Sequence, residues 1–281
     1  MTEATQSVLS GLKKCSLSAS EYPHETALVL LSHVLGKPKT WVIAHPESYL
    51  SIEQSKALNL LCERLQQGEP LAYLTGRQAF FGLDFKVTSD VLIPRPETEL
   101  LVETALTWLA NHPKANQGLD VGTGSGCIPI SLLIHAAELQ MTAIDLSAAA
   151  LGVAAKNAET HQMTERLHLI QSDMLDQIQS SFDLITANLP YIPTDKLRQV
   201  NSLPFEPKLA LDGGEDGLVL IRRLLNQAPK HLNRPGLILL EIESTLGEVT
   251  LALAQATFPT AEVGLHQDLA GLDRLVSIQV I

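Results

Sequence analysis

Residues 119 to 127 place a short apolar run directly before three alternating glycines, in Leu119-Asp120-Val121-Gly122-Thr123-Gly124-Ser125-Gly126-Cys127. The apolar run predicts a buried strand, and the glycines predict a tight turn in which the backbone can approach a ligand closely. A helix is expected from about Cys127 to Ala137, because Pro129 is tolerated in a first helical turn. A strand, a glycine turn and a helix are the start of a nucleotide-type βαβ unit.

The second strand of this unit is predicted over Met141 to Ile144, and it ends at Asp145. That acid lies nineteen positions after Gly126, the distance at which a carboxylate binds a ribose in such a unit. The turn has no third glycine at the dinucleotide spacing, so binding of a pyrophosphate is disfavoured. On its own, the glycine turn is equally compatible with a purely structural role.

A third feature follows the strand predicted over 182–187: the tetrapeptide Asn188-Leu189-Pro190-Tyr191. This arrangement suits methyl transfer to a planar nitrogen, which is a poor nucleophile because its lone pair is delocalised. The Asn188 side-chain oxygen and the Leu189 carbonyl can each accept one N–H hydrogen. Pro190 fixes its own φ and removes a competing donor, and Tyr191 offers a flat face. The expected gain is positioning and preorganised electrostatics, and the alternative is an ordinary strand-to-loop exit.

Asp145 and this tetrapeptide together make S-adenosylmethionine the expected ligand, with S-adenosylhomocysteine as the product and no metal. The residues expected to bind it are Gly122, Thr123, Gly124, Ser125, Gly126, Asp145, Asp173, Met174 and Asn188. Asp173 follows a third predicted strand, Leu167 to Gln171, and is expected to accept a hydrogen bond from the adenine amine. Met174 is expected to pack on the adenine ring, and a turn acid without a ligand is the alternative for Asp173.

Strands and helices alternate from Gly118 onward, which predicts an α/β, Rossmann-like, doubly wound sheet with the ligand at the carboxyl ends of its strands. A fifth strand is predicted over Leu237 to Ile242, and residues 261–264 and 275–281 are expected to add an antiparallel terminal pair. Proline and glycine punctuate the stretch from Leu197 to Leu218. This stretch is therefore expected to be an ordered functional loop and not a helix.

The chain before this region changes character twice. Residues His24 to Leu35 and Glu53 to Gln67 each carry apolar side chains on one face at helical spacing, which predicts a small helical bundle. Residues Arg77 to Val91 carry phenylalanine and valine around Gly82, which predicts a β-hairpin. The predicted organisation is a helical substrate-recognition domain at 1–76, a hairpin connector at 77–93 and a methyltransferase domain at 94–281.

Composition excludes several functional classes for this chain of 281 residues. Its formal net charge of −11 is unlike that of proteins that hold nucleic acid by a basic surface. No apolar run is long enough to span a membrane, and the first residues lack the features of a secretory signal. Cys15, Cys62 and Cys127 are widely spaced and predict neither a zinc site nor a disulfide framework. A cytoplasmic protein that contacts neither membrane nor nucleic acid directly is expected.

Over nearly its whole length the chain resembles the release factor glutamine methyltransferases, the HemK/PrmC family. Besides the glycine turn and the tetrapeptide at 188–191, the matching stretches are Gly68-Glu69-Pro70-Leu71-Ala72-Tyr73-Leu74-Thr75-Gly76, Leu92-Ile93-Pro94-Arg95-Pro96-Glu97-Thr98-Glu99, Glu206-Pro207, Ala210-Leu211-Asp212-Gly213-Gly214-Glu215-Asp216-Gly217-Leu218 and Asp268-Leu269-Ala270-Gly271. The family usually has Asn-Pro-Pro-Tyr, whereas Leu189 stands here in place of the first proline. This variant also resembles the N-L-P-Y of ribosomal RNA adenine dimethyltransferases.

The resemblance implies methylation of the side-chain amide nitrogen of the glutamine in the Gly-Gly-Gln motif of peptide chain release factors. It also implies that Glu206 helps to shape the acceptor pocket. The first alternative is an adenine-N6 methyltransferase of RNA or DNA, because adenine N6 is also a planar nitrogen with two hydrogens. The acidic charge and the preceding helical domain disfavour it. The second alternative is a non-catalytic S-adenosylmethionine-binding module, which the intact Asn188, Pro190 and Tyr191 disfavour.

Overall fold

The structure is a computed structural model that describes residues 7–15, 23–199 and 205–281. The chain divides into two compact units, Met1–Gly76 and Arg77–Ile281. The described helices include none that is long and apolar enough to cross a membrane.

The first unit is helical over its described residues. Its helices are Val8–Cys15 (α1), Pro23–Leu35 (α2), Lys39–Ala44 (α3), Ile52–Gln66 (α4) and Leu71–Thr75 (α5). A capping box starts α4, because the Ser51 hydroxyl accepts from the Gln54 backbone N–H and the Gln54 side chain accepts from the Ser51 N–H. The predicted apolar faces pack together around Leu30, Leu31 and Leu58. These packed helices confirm the predicted helical character of this region.

One cysteine departs from the prediction that the spacing of the cysteines shows no disulfide framework. Cys62 is disulfide-bonded. Cys127 is free and buried. Spacing along the sequence did not reveal the bond, because a fold can bring together residues that lie far apart in the chain.

A two-stranded antiparallel hairpin opens the second unit, with strands Arg77–Phe80 (β1) and Leu83–Lys86 (β2). Phe81 and Gly82 form its two-residue turn, with φ values of 50° and 72°. Positive φ at both central residues matches the twist of the flanking strands. Phe80 and Phe85 are fully buried, and the predicted hairpin is confirmed.

A seven-stranded sheet forms the centre of the second unit. Its strands are Gln117–Val121 (β3), Gln140–Asp145 (β4), Leu167–Gln171 (β5), Phe182–Ala187 (β6), Leu232–Glu241 (β7), Glu262–Gln267 (β8) and Asp273–Val280 (β9). Their order is β5-β4-β3-β6-β7-β9-β8, with the first five parallel and β9 antiparallel to both of its neighbours. This sheet confirms the predicted doubly wound fold with an antiparallel end.

Helices connect the strands of this sheet. They are Glu99–Asn111 (α6), Cys127–His135 (α7), Ala148–Thr160 (α8), Thr194–Gln199 (α9), Val219–Gln227 (α10) and Gly247–Thr257 (α11). The stretch from 197 to 218 therefore begins inside a helix, contrary to the expectation of a loop throughout. Its residues 200–204 lie outside the described residues, and Lys208–Ala210 form a single 3-10 turn.

The strand order reverses at β3, which lies between β4 and β6. Ligands of open α/β sheets bind at such a switch point, beyond the carboxyl ends of the strands. Val121 pairs with Ile144 on one side and with Ala187 on the other. The residues that follow these three positions, Gly122, Asp145 and Asn188, therefore leave the sheet at the same edge.

A buried asparagine joins the hairpin to the glycine turn. Asn157 is fully buried on α8, and its Oδ1 accepts a hydrogen bond of 2.8 Å from the Lys86 N–H. Its Nδ2 donates to the carbonyl oxygens of Lys86 at 3.0 Å and Ser125 at 2.8 Å. One side chain thus satisfies three backbone groups from two segments.

Candidate active site

A cavity of about 750 Å³ lies at the carboxyl ends of β3 to β6. Residues 89–92, 94–95 and 207–210 contribute further walls. The cavity walls include ten of the residues that the sequence singled out: Gly122, Thr123, Gly124, Ser125, Asp145, Asp173, Met174, Asn188, Leu189 and Pro190. The fold therefore brings these ten predicted residues to one cavity, whereas Gly126 and Tyr191 are not among its wall residues.

Gly124 and Gly126 of the glycine turn both have positive φ values, a backbone conformation that is strained for residues with a side chain. Gly124 has φ of 55°, and a Cβ placed there meets no atom within 4 Å, so the turn leaves open space on its cavity side. Gly126 has φ of 79° and faces the helices, because a Cβ there would lie 3.2 Å from the side chains of Ala154 and Ile130. Gly124 thus keeps room for a ligand, while Gly126 permits close packing of α7 on α8.

Asp145 is held at the tip of β4 by the backbone. Its Oδ2 accepts from the Gly124 N–H at 2.9 Å, and its Oδ1 accepts from the Ser147 N–H at 2.8 Å. Burial raises the pKa of this carboxyl group, and the backbone N–H groups of Ser147 and Gly124 oppose that shift. A carboxylate oxygen accepts more than one hydrogen bond, so this rigid group retains acceptor capacity for ribose hydroxyls.

The tip of β5 carries a conformation that is unusual for a residue with a side chain. Met174 has φ of 51°, and the Ser172 hydroxyl donates to its carbonyl oxygen at 2.7 Å. Non-glycine residues adopt this region at a cost, and such residues cluster at functional sites. The buried Met174 side chain reaches the cavity, as packing on an adenine ring requires.

Asp173 has a partner that the sequence did not reveal. Arg223, on α10, places its Nη2 3.0 Å from Asp173 Oδ1 and also lines the cavity. A carboxylate can accept from Arg223 and from an adenine amine together, since it has about four acceptor positions. Neither a periodicity nor a motif in the sequence marked Arg223, which is a partly buried residue of the amphipathic helix α10.

The donor side of the Asn188 amide is already engaged. Its Nδ2 donates to the Thr98 hydroxyl oxygen at 3.1 Å. Thr98 is buried in the 3-10 turn Pro96–Thr98, within the Pro-Arg-Pro-Glu-Thr-Glu stretch. This bond gives the amide an orientation, with Oδ1 as the acceptor.

Leu189, which replaces the usual proline, is buried at the cavity wall. Its Cδ2 lies 3.2 Å from the position that a Cβ of Gly122 would take. The leucine side chain therefore packs toward the glycine turn. Tyr191 is also largely buried, and burial raises the pKa of its hydroxyl to about 12, so the ring stays neutral at physiological pH.

The Gly-Gly-x-Asp-Gly-Leu stretch closes on the backbone of this tetrapeptide. A Cβ at Gly213 would lie 2.7 Å from the Tyr191 Cα, and a Cβ at Gly217 would collide with the Tyr191 carbonyl oxygen. Ile192 donates its N–H to the Leu211 carbonyl at 3.1 Å and accepts from the Gly213 N–H at 2.8 Å. These glycines allow a second segment to hold the main chain next to Pro190.

Within residues 7–15, 23–199 and 205–281, no grouping of three or more His, Cys, Asp or Glu side chains could hold a metal ion.

Two family models match the chain. The PrmC N-terminal domain matches residues 12–76, and the methyltransferase small domain matches residues 96–201. A release factor glutamine methyltransferase of Bordetella pertussis is 39% identical over 267 residues, which cover 94% of this chain and 97% of that protein. One from Lactococcus lactis is 41% identical over 229 residues, which cover 81% of this chain and 83% of that protein.

A solved structure shares the fold at much lower sequence identity. The N-terminal domain of human METTL16 in complex with SAH superposes with a TM-score of 0.51. It is 16% identical and covers 72% of this chain and 77% of that chain. This likeness shows a common methyltransferase fold.

Proposed function

Since the chain belongs to the release factor glutamine methyltransferases, we propose that its acceptor is the glutamine of the Gly-Gly-Gln motif in peptide chain release factors. Membership makes it an S-adenosylmethionine-dependent protein glutamine methyltransferase.

The donor half of the cavity fits S-adenosylmethionine. The open space at Gly124 and the backbone-held carboxylate of Asp145 suit a ribose, and Met174 beside Asp173 suits an adenine. S-adenosylmethionine supplies an electrophilic methyl group on a sulfonium. Asp145 accepts hydrogen bonds from the ribose hydroxyls, and Asp173 accepts one from the adenine amine while keeping its bond to Arg223.

One observation supports the assignment of the acceptor half of the cavity: the hydrogen bond from Asn188 Nδ2 to the Thr98 hydroxyl oxygen. Because this bond uses the donor side of the amide, Oδ1 is left to accept one N–H of the glutamine amide. The Leu189 carbonyl accepts the second N–H, and Tyr191 offers its ring face to the planar group. Both acceptors hold the amide plane so that the nitrogen lone pair points at the methyl carbon.

The chemistry then needs little from the protein beyond positioning. The new bond joins the amide nitrogen to the methyl carbon as the sulfur–carbon bond breaks, and one amide proton leaves to solvent. Tyr191, with its hydroxyl pKa raised to about 12, stays neutral throughout.

Residues 1–76 are assigned to recognition of the protein substrate. The PrmC N-terminal domain matches 12–76, and helices with a buried apolar face form this unit. The methyltransferase motifs all lie in the second unit, so the first contributes binding energy and no reacting group.

The test is transfer of labelled methyl from S-adenosylmethionine to purified release factor, to a release factor whose motif glutamine is replaced by glutamate, and to ribosomal RNA. We expect label in the parent factor, confined to the motif glutamine by peptide mass spectrometry, and none in the glutamate form. Label in RNA alone would support the adenine-N6 alternative and overturn the proposal.

A further inference from the structure

A buried carboxyl group lies directly behind the acceptor half of the cavity. Glu241 ends β7 and is only 3% exposed. Ala187 pairs with Leu240 in the sheet, so Asn188 and Glu241 are the next residues on two adjacent strands. Glu241 is not among the residues of the cavity wall, so it is next to Asn188 in the sheet but does not line the cavity.

Thr98 is hydrogen-bonded to Asn188 and lies close to Glu241, whose buried Oε2 has no hydrogen-bond partner among the described residues. Thr98 is 2% exposed, and its hydroxyl oxygen receives the Asn188 Nδ2 hydrogen at 3.1 Å. Both the Thr98 hydroxyl and the Asn188 amide act on the Glu241 carboxyl group and lower its pKa. A hydroxyl that accepts from Asn188 still has its own hydrogen to donate, and an ionised carboxylate can only accept.

We propose that Glu241 is a positioning residue that, through Thr98, fixes the orientation of the Asn188 amide. The two ends of an asparagine amide have almost the same shape, so packing alone cannot distinguish them. A flipped amide would turn its oxygen toward the acceptor-only carboxylate and its NH₂ toward the substrate amide. Glu241 penalises that state and keeps Oδ1 facing the substrate. The inference rests on the proposed role of Asn188.

The ionised form of Glu241 is the form that gives this preference. Burial raises its pKa to about 7, and Arg274 opposes that shift while Glu97 adds to it. Tyr191 and Cys127 also face this charge, since Glu241 raises the pKa of each. When the carboxyl group is protonated it can donate, so the preference weakens as pH falls through about 7.

The experiment is single-turnover methylation of release factor by the full chain with Glu241→Gln, over pH values on both sides of neutrality. The glutamine keeps the volume but can donate toward Thr98 and Asn188. We expect a loss of about tenfold in rate above pH 7, the size of one hydrogen bond, with an unchanged dissociation constant for S-adenosylmethionine. The parent rate should rise through pH about 7, whereas the variant should show no such rise.

Thr98→Val gives the second measurement, because it removes the relay while keeping the shape. It should lose as much rate as Glu241→Gln, and the double variant should lose no more than either single one. Glu241→Asp should restore part of the rate, and Glu262→Gln, at an exposed position, should leave it unchanged. If Glu241→Gln does not fold, the pH profile of Thr98→Val decides the question: loss of the parental rise through pH about 7 supports the role of Glu241, and a retained rise overturns it.

The outcomes separate this inference from the proposed function. Parental rates and a parental pH profile in Glu241→Gln or in Thr98→Val, together with an inactive Asn188→Ala, would overturn the positioning role only. An active Asn188→Ala would overturn the role of Asn188 and this inference with it.

Discussion

Arg95 and Glu206 form a two-pronged ion pair across 111 residues of sequence. The Arg95 Nη2 lies 2.8 Å from Oε1 and 2.7 Å from Oε2 of Glu206. The Ile93 N–H also points to Oε1, at 3.4 Å. Because Glu206 is buried, it needs this partner. The pair anchors the segment that continues into the cavity wall at 207–210.

Glu206→Gln should therefore destabilise the second unit and loosen this wall. A broken buried pair costs about 3–5 kcal/mol, and the expected loss here is smaller, roughly 1–3 kcal/mol, because Arg95 is 38% exposed. Urea denaturation gives the free energy of unfolding. Asp195→Asn, which breaks the exposed pair with Arg198, is the matched control and should change it by less than about 1 kcal/mol. Equal losses in both variants would contradict a structural role for Glu206.

Asp145→Ala should weaken the binding of S-adenosylmethionine. A hydrogen bond to a charged group contributes about 1.5–3 kcal/mol, which corresponds to roughly ten- to hundredfold in affinity. Burial raises the pKa of Asp145, so parental affinity should fall as pH drops through that raised pKa, and this dependence should vanish in the variant. Calorimetric titration measures both effects. An unchanged dissociation constant would remove Asp145 from the ligand site.

Asn188→Ala should leave the fold intact and abolish most turnover. The substitution removes the proposed side-chain acceptor of the glutamine amide, and the loss of one preorganised contact typically costs on the order of 10²–10³ in rate. Single-turnover assays on release factor, paired with titration of S-adenosylmethionine, separate chemistry from donor binding. Affinity for the donor should fall only modestly. Turnover near that of the parent would refute the proposed mechanism.

Leu189→Pro should be tolerated, because the proposed contact at this position is a backbone carbonyl. The substitution restores the residue that the resemblance led us to expect, and it removes a buried side chain that packs toward Gly122. We expect turnover within a few-fold of the parent. A collapse of turnover with donor binding retained would show that the leucine side chain itself positions the acceptor.

A chain that begins at Arg77 should retain donor binding and lose most activity on intact release factor. The second unit is compact and contains the whole cavity, whereas the docking energy assigned to residues 1–76 would be missing. A short peptide containing Gly-Gly-Gln is the matched substrate, and its methylation should change little. Undiminished methylation of the intact factor would refute the docking role.

The positions of Asp145 and Asn188 at one edge could be predicted from the sequence. Each follows an apolar run of strand length, and the carboxyl ends of neighbouring parallel strands meet at the same edge of a sheet. The register of Val121 with Ile144 and Ala187 supplies that arrangement. The hairpin could also be predicted from the sequence, because aromatic residues flank a glycine at its turn.

The partners of these residues could not be predicted. Asn188 and Thr98 are 90 positions apart, and their hydrogen bond depends on how α6 and its preceding turn pack on the sheet. Arg223 meets Asp173 for the same kind of reason. The sequence contains one signal for Glu241, because this single carboxyl group follows the apolar run Leu237-Ile238-Leu239-Leu240. Strand ends often carry acids, so that signal alone did not distinguish it.

The side chain of Asn157 alone hydrogen-bonds to two separate segments of the chain. Its Oδ1 accepts from the N–H of Lys86, and its Nδ2 donates to the carbonyl oxygens of Lys86 and Ser125. No other side chain of that length has an acceptor and two donors on one planar end. In a saturation library at this position, selected for activity, asparagine should therefore dominate the survivors, although Asn157 is not among the residues of the cavity wall.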